Sequence, residues 1–156
     1  MRVLALLLML LTFACSKEPN RWEAAEQRAE QKAAPAATAP KVEGSKLNDF
    51  FPDQGPNGAK RIFTAEKDGY VEAKLRGENG SDLAVLSISQ AAPDALAKFE
   101  GASDAVQGFP LVTVGNNQSS VLVNKKYQVK VSSKELKPDE RKSLLGTFDL
   151  RGLASL

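Results

Sequence analysis

The stretch Arg61-Ile62-Phe63-Thr64-Ala65-Glu66-Lys67-Asp68-Gly69-Tyr70-Val71-Glu72-Ala73-Lys74-Leu75-Arg76 decides the fold. Asp68-Gly69 is a two-residue hairpin signal, because glycine takes the positive φ that a tight reversal between twisted strands needs. After it, Val71, Ala73 and Leu75 alternate with Tyr70, Glu72 and Lys74, the period-two pattern of a strand with one buried face. Gly77-Glu78-Asn79-Gly80 turns the chain again. Leu83-Ala84-Val85-Leu86-Ser87-Ile88 is nearly continuously apolar, as a central strand is. Three antiparallel strands in a row is the economical reading of residues 61–88.

Further along, Pro93-Asp94 suits a helix start and Gly101 its stop, with Leu96 and Phe99 as a short apolar face between them. The Gly108-Phe109-Pro110 break leads to a second strand group over residues 111–114, 119–123 and 127–133. Gly115-Asn116-Asn117 and Asn124-Lys125-Lys126 supply its turns. Tyr127, Val129 and Val131 alternate with Gln128, Lys130 and Ser132. Pro138-Asp139-Glu140 opens a final helix with Leu144, Leu145 and Phe148 inward, and Asp149 recaps a last turn bearing Leu150 and Leu153. The layer rules then predict an α+β fold: an antiparallel β-sheet of about five to six strands in two groups, with two helices packed on one face.

Upstream of residue 45 the composition changes. Residues 20–34 are rich in Ala, Glu, Gln, Arg and Lys, strong helix formers, but Trp22 is the one large apolar side chain among them. A helix without an apolar stripe has nothing to bury. Ala34-Pro35-Ala36-Ala37-Thr38-Ala39-Pro40 favours an extended linker. Trp22 suits a membrane headgroup boundary, or is simply exposed. The first residues differ again: Met1-Arg2 is a short positive start, and Val3 to Leu11 is an apolar run too short to span a bilayer. Three regions follow: 1–14 as a cleaved signal peptide, 15–44 as a helical and Pro/Ala-rich tether, 45–156 as one domain.

Leu11-Thr12-Phe13-Ala14-Cys15 resembles the lipobox of bacterial lipoproteins, with Thr12 standing where leucine is usual and Leu11 one place further back. The resemblance covers only the first 15 residues. It implies cleavage after Ala14 and lipidation of Cys15, with acyl chains on the thiol and on the new amino group. A plain secretory signal with a chance cysteine is the other reading. Several acyl chains hold a protein to a bilayer where one binds reversibly. Ser16 follows the cysteine rather than aspartate, and by the same resemblance this favours the outer membrane, facing the periplasm.

The chain has 21 Lys plus Arg against 19 Asp plus Glu, a net +2, and removing Arg2 with the leader leaves it near neutral. That excludes a nucleic-acid footprint, which needs a concentrated basic face. Acidic residues dominate 66–104 and basic ones 125–142. Lys125, Lys126, Lys130, Lys134, Arg141 and Lys142 therefore form a candidate interaction patch, or an ordinary solvated face. There is no histidine, so Ser-His-Asp and Cys-His catalysis and imidazole metal sites are excluded. Glu66, Asp68 and Glu72 cluster near the hairpin turn; a carboxylate pair there could bind calcium or do acid–base work, but turn and solvent-face residues are the better reading. Tyr70, Phe109 and Tyr127 suit either core packing or the lining of a pocket.

These observations give no catalytic residues, no metal and no cofactor. The expectation is a lipid-anchored, periplasm-facing, non-enzymatic interaction module of the cell envelope, partnered by another envelope protein. The alternative is a carrier of a small apolar ligand held between sheet and helices. Replacing Cys15 by Ala is expected to leave the leader uncleaved and abolish incorporation of labelled palmitate. A variant that is still cut and labelled would refute the lipobox reading.

Overall fold

A computed structural model describes residues 41–156. The signal peptide, Ala14, Cys15 and the tether up to residue 40 lie outside the described residues. Seven strands form one sheet: β1 Lys60–Lys67, β2 Tyr70–Arg76, β3 Asp82–Gln90, β4 Asp104–Val106, β5 Phe109–Val114, β6 Gln118–Val123 and β7 Tyr127–Ser132. Their order is β1-β2-β3-β7-β6-β5-β4, and every ladder is antiparallel. Two meanders thus run in from opposite edges and meet where β3 pairs with β7. The two expected strand groups are these meanders.

The count is seven rather than five or six. The added strand is β4, whose three residues are too few to show alternation. Its turn to β5 runs through Gln107 at φ 52° and Gly108 at φ 89°, so the residues read as a break are a tight hairpin. Gly69, at φ 73°, makes the β1–β2 turn, and a Cβ there would lie 2.6 Å from the Gln90 Oε1.

Val71, Ala73, Leu75, Ala84, Leu86, Ile88, Val121, Val123, Tyr127, Val129 and Val131 bury one sheet face in a single core. Two roofs cover it. The first comprises α1 (Gly44–Leu47) and the chain up to Ala59, with Leu47, Phe51 and Ala59 buried. The second comprises α3 (Pro138–Leu145) and α4 (Leu150–Ala154), which bury Leu144, Leu145, Leu150 and Leu153 against β6 and β7. Phe51 joins them, 5.4 Å from the Phe148 ring and 5.5 Å from that of Phe63, and the Asp149 amide donates to the Phe50 carbonyl. Asp149 caps α4 by accepting from the Gly152 amide at 2.8 Å, as its position predicts. The packed part reaches back to Val42, inside the stretch read as tether, because its carbonyl accepts from Gly69 at 2.7 Å.

The helices are smaller than expected and do not all share one face. Residues 93–101 form one α turn, α2 (Pro93–Leu96), and a 3-10 turn, Ala97–Phe99. Leu122 alternates with Val121 and Val123, so it points away from the core, yet it is only 5 % exposed. Phe99 is similarly buried, lies outside the main cluster and lines one cavity with Leu122. The crossover therefore lies on the far side of the sheet, beside β5 and β6.

An eight-residue edge strand is a template for unwanted pairing, and β1 is protected accordingly. Gln54 bridges to Lys60, and the Arg61 Nη1 donates to the Phe51 and Pro52 carbonyls at 3.0 and 2.9 Å. At the other end Asn48 Nδ2 donates to Glu66 at 2.7 Å, and Gly44 sits so close that a Cβ would lie 2.8 Å from the Lys67 carbonyl oxygen. Between these caps the ladder to β2 shifts register at Thr64.

Arg141 is the largest fully buried side chain among the described residues. Its Nε donates to Ser119 Oγ at 3.1 Å and its Nη1 to the Leu136 carbonyl at 2.6 Å, while Nη2 has no partner among the described residues. Thr113 Oγ1 lies 3.4 Å from the same Ser119 oxygen and stands ready to satisfy it. Because no carboxylate among the described residues offsets the buried charge, Arg141→Met is expected to change stability by less than about 1 kcal/mol, or to raise it. Arg141→Ala, which opens a cavity, is expected to cost about 2–4 kcal/mol in urea unfolding. Equal losses in both variants would mean that the guanidinium hydrogen bonds, not its volume, hold α3 down.

Candidate interaction surface

The six basic residues expected to form a patch do not assemble into one. Arg141 is inside the core, since its place on the first turns of α3 faces the sheet. Lys142, one position on, points outward and pairs with Asp104 of β4. Lys134 is exposed beyond the end of β7, at the opposite end of the sheet from Lys125 and Lys126. Lys130 lies on the outer sheet face, half-buried between Ser87 and Ser120. Helical phase separates Arg141 from Lys142, and strand direction separates Lys134 from Lys125.

The outer face is built from the side chains that alternate away from the core. One row across it reads Glu72, Ser87, Lys130, Ser120 and Val112; the next reads Lys74, Val85, Ser132, Gln118 and Val114. Ser120 is fully buried here, with an Oγ that has no hydrogen-bond partner among the described residues. Asp82 draws in Lys74 at 2.6 Å and Arg76 at 3.1 Å, and the Lys74 contact chiefly lowers its pKa.

The three carboxylates near the hairpin do not form a pair. Glu66 is opposite Val71 and so lies on the core side, whereas Glu72 is opposite Ser87 on the outer side. Asp68 is exposed in the turn. Glu72 accepts from the Tyr70 hydroxyl at 2.6 Å and from Thr64 Oγ1 at 2.9 Å. The Tyr70 bond, then that from Thr64, holds its carboxyl below the usual range, so it stays ionised. Burial, followed by the Glu72 hydrogen bond and charge, pushes the Tyr70 phenol up to about 12. Among the described residues no group of three His, Cys, Asp or Glu is placed to hold a metal ion, and no helix is long and apolar enough to cross a membrane.

Beside the open rows lies a groove of about 520 Å³ between the crossover and the outer face of β5 and β6. Leu96, Phe99, Phe109, Pro110 and Leu122 give it an apolar lining, with Glu100, Asn124 and Lys125 also facing it. Of the aromatics considered for a pocket, Phe109 borders the groove while packing against the core, Tyr127 is in the core and Tyr70 is on the outer face. α4 steadies the adjoining turn: Asn124 Nδ2 donates to the Ala154 carbonyl at 2.7 Å, and Lys126 Nζ to that of Leu156 at 2.9 Å. A sequence signal for this groove exists in Val121-Leu122-Val123, apolar in both parities, which demands cover on both faces of β6.

No protein-family model matches the chain, and neither a curated protein nor a solved structure matches it.

The Tyr70–Glu72 contact has a definite pH signature. A phenol raised above its ordinary value of about 10 contributes stability below that pH and loses it as pH rises through the folded value. A carboxyl lowered from about 4.3 contributes above that pH and loses it as pH falls through the folded value. Glu72→Gln is therefore expected to bring the Tyr70 titration down from about 12 toward 10 and to flatten the acid limb of the stability curve. Carbon NMR of labelled tyrosine rings, together with urea unfolding across pH, measures both. An unmoved phenol would show that burial alone sets it.

Proposed function

We propose that this chain is a bacterial lipoprotein, cut after Ala14 and anchored by lipid on Cys15, whose domain is a non-enzymatic interaction module facing the periplasm, with another envelope protein as its partner. The observation supporting the module is the asymmetry of the sheet. One face is filled by a continuous core under two roofs, while much of the other carries mixed rows in which Glu72, Lys74, Val85, Lys130 and Ser132 are half-buried. A sheet face of mixed polar and apolar rows offers area without a deep cavity, which suits a protein surface better than a small substrate.

The carrier of a small apolar ligand is the second reading, and the apolar groove beside β5 and β6 favours it. Outer-membrane placement rests on Ser16 and the lipobox resemblance. Photo-crosslinking from position 130 in intact envelopes is expected to trap a discrete protein partner, while position 78, in the β2–β3 turn, traps none. Recovery of no partner, with a bound lipid found by mass spectrometry, would replace the module by the carrier.

A further inference from the structure

The groove has an apolar lining and charges only at its margin. Leu96, Phe99, Phe109, Pro110 and Leu122 offer no side-chain hydrogen-bonding group. Their strands' backbones are already engaged in ladders: Leu122 is opposite Gln128, and Pro110, which has no amide hydrogen, is opposite Ala105. A peptide laid there would bury amides without partners, at a cost an alkyl chain does not incur. At about 520 Å³ the groove lies within the range of small-ligand sites. Lys125 and Glu100 both face it, and among the described residues neither side chain has an ion-pair partner. The margin therefore carries one free charge of each sign.

Its position is equally specific. Gly108, Asn124 and Lys125 belong to the β4–β5 and β6–β7 turns. The ladders Tyr70–Ser89, Ser89–Gln128 and Gln128–Leu122 place these turns at the same end of the sheet as Gly69, where Val42 brings the chain in. The groove thus opens at the end of the domain that joins the segment bearing Cys15.

We infer that this groove takes one acyl chain of a phospholipid with an amine-bearing zwitterionic head, the phosphate at Lys125 and the ammonium at Glu100. The inference rests on the lipid-anchored reading, because the anchor brings the groove to a bilayer. Lipid seated there would hold the chain-entrance end of the sheet against the membrane and leave the Lys130 face turned aside for a partner.

The test uses the full mature protein in vesicles of phosphatidylethanolamine and phosphatidylglycerol, with a tail-diazirine phosphatidylethanolamine as probe. Irradiation is expected to put adducts on peptides containing Leu96, Phe99, Phe109 and Leu122. Leu96→Asp, at a half-exposed site, should reduce them at least about tenfold by charging the lining. Lys125→Glu should reduce them severalfold, and circular dichroism should show both variants folded. Adducts spread evenly over the domain, adducts unchanged in both variants, or probe displaced by a protein captured at these positions would overturn the assignment. Flotation reads anchorage separately: protein that floats without groove adducts refutes the groove alone. Protein that does not float refutes the anchor. A monomeric diazirine lysophosphatidylethanolamine then decides the groove, which stands if Leu96→Asp abolishes labelling and falls if it does not.

Discussion

The pairing of β3 with β7 is the constraint on which the rest of the molecule depends. Each meander could form locally, since its strands are joined by short turns. Only the ladder from Val85–Ser132 to Gln90–Tyr127 makes them one sheet. It aligns Leu86 with Val131 and Ile88 with Val129, so the apolar rows become continuous and a single core becomes possible. A one-residue slip would turn every one of those side chains to the other face, which is why the register is strongly specified.

Closing that core takes both ends of the described chain. The segment around Leu47 and Phe51 covers β1 and β2, α3 and α4 cover β6 and β7, and Phe51 meets Phe148 between them. The N-terminal roof also caps the open edge of β1 at both of its ends. Residues that look like a loop in the sequence thus do two tasks, burying apolar area and blocking edge pairing. Arg141 shows the limits of reading charge as surface: its stem fills the space under α3, and two oxygen acceptors take part of its donor capacity without a counter-ion.

The same architecture separates two kinds of outer surface. Around Lys130 the side chains are mixed, Ser87 and Ser120 buried beside it and Glu72, Val85 and Ser132 half-buried further out; beside β5 and β6 the crossover leaves an apolar groove rimmed by opposite charges. The Tyr70–Glu72 contact belongs to the first surface: burial, then the hydrogen bond, raises the Tyr70 phenol, while the bonds from Tyr70 and Thr64 lower the Glu72 carboxyl against the effect of burial. Structural ion-pair and hydrogen-bond networks perturb titrations in this way as well as functional sites do.

By itself the sequence determined the hairpin at Asp68-Gly69, the alternating faces of β2 and β7, the apolar run of β3 and the Asp149 cap, because each is a local pattern of period, turn chemistry or capping. The expected leader and lipidation at Cys15 are likewise read from the order of residues alone, since such signals need no fold. Strand β4 was not legible, since three residues are below the length at which alternation speaks. Nor was the face chosen by residues 93–99: a short helix with two apolar residues suits either side of a sheet, and only the crossover from β3 to the far edge at β4 decided it. The dispersal of the basic residues is tertiary as well. Lys125, Lys130 and Lys134 are neighbours along the chain, but a strand carries them from one end of the sheet to the other, while Arg141 is turned inward by helical phase. Local chemistry set the elements, and long-range pairing set which of their side chains meet.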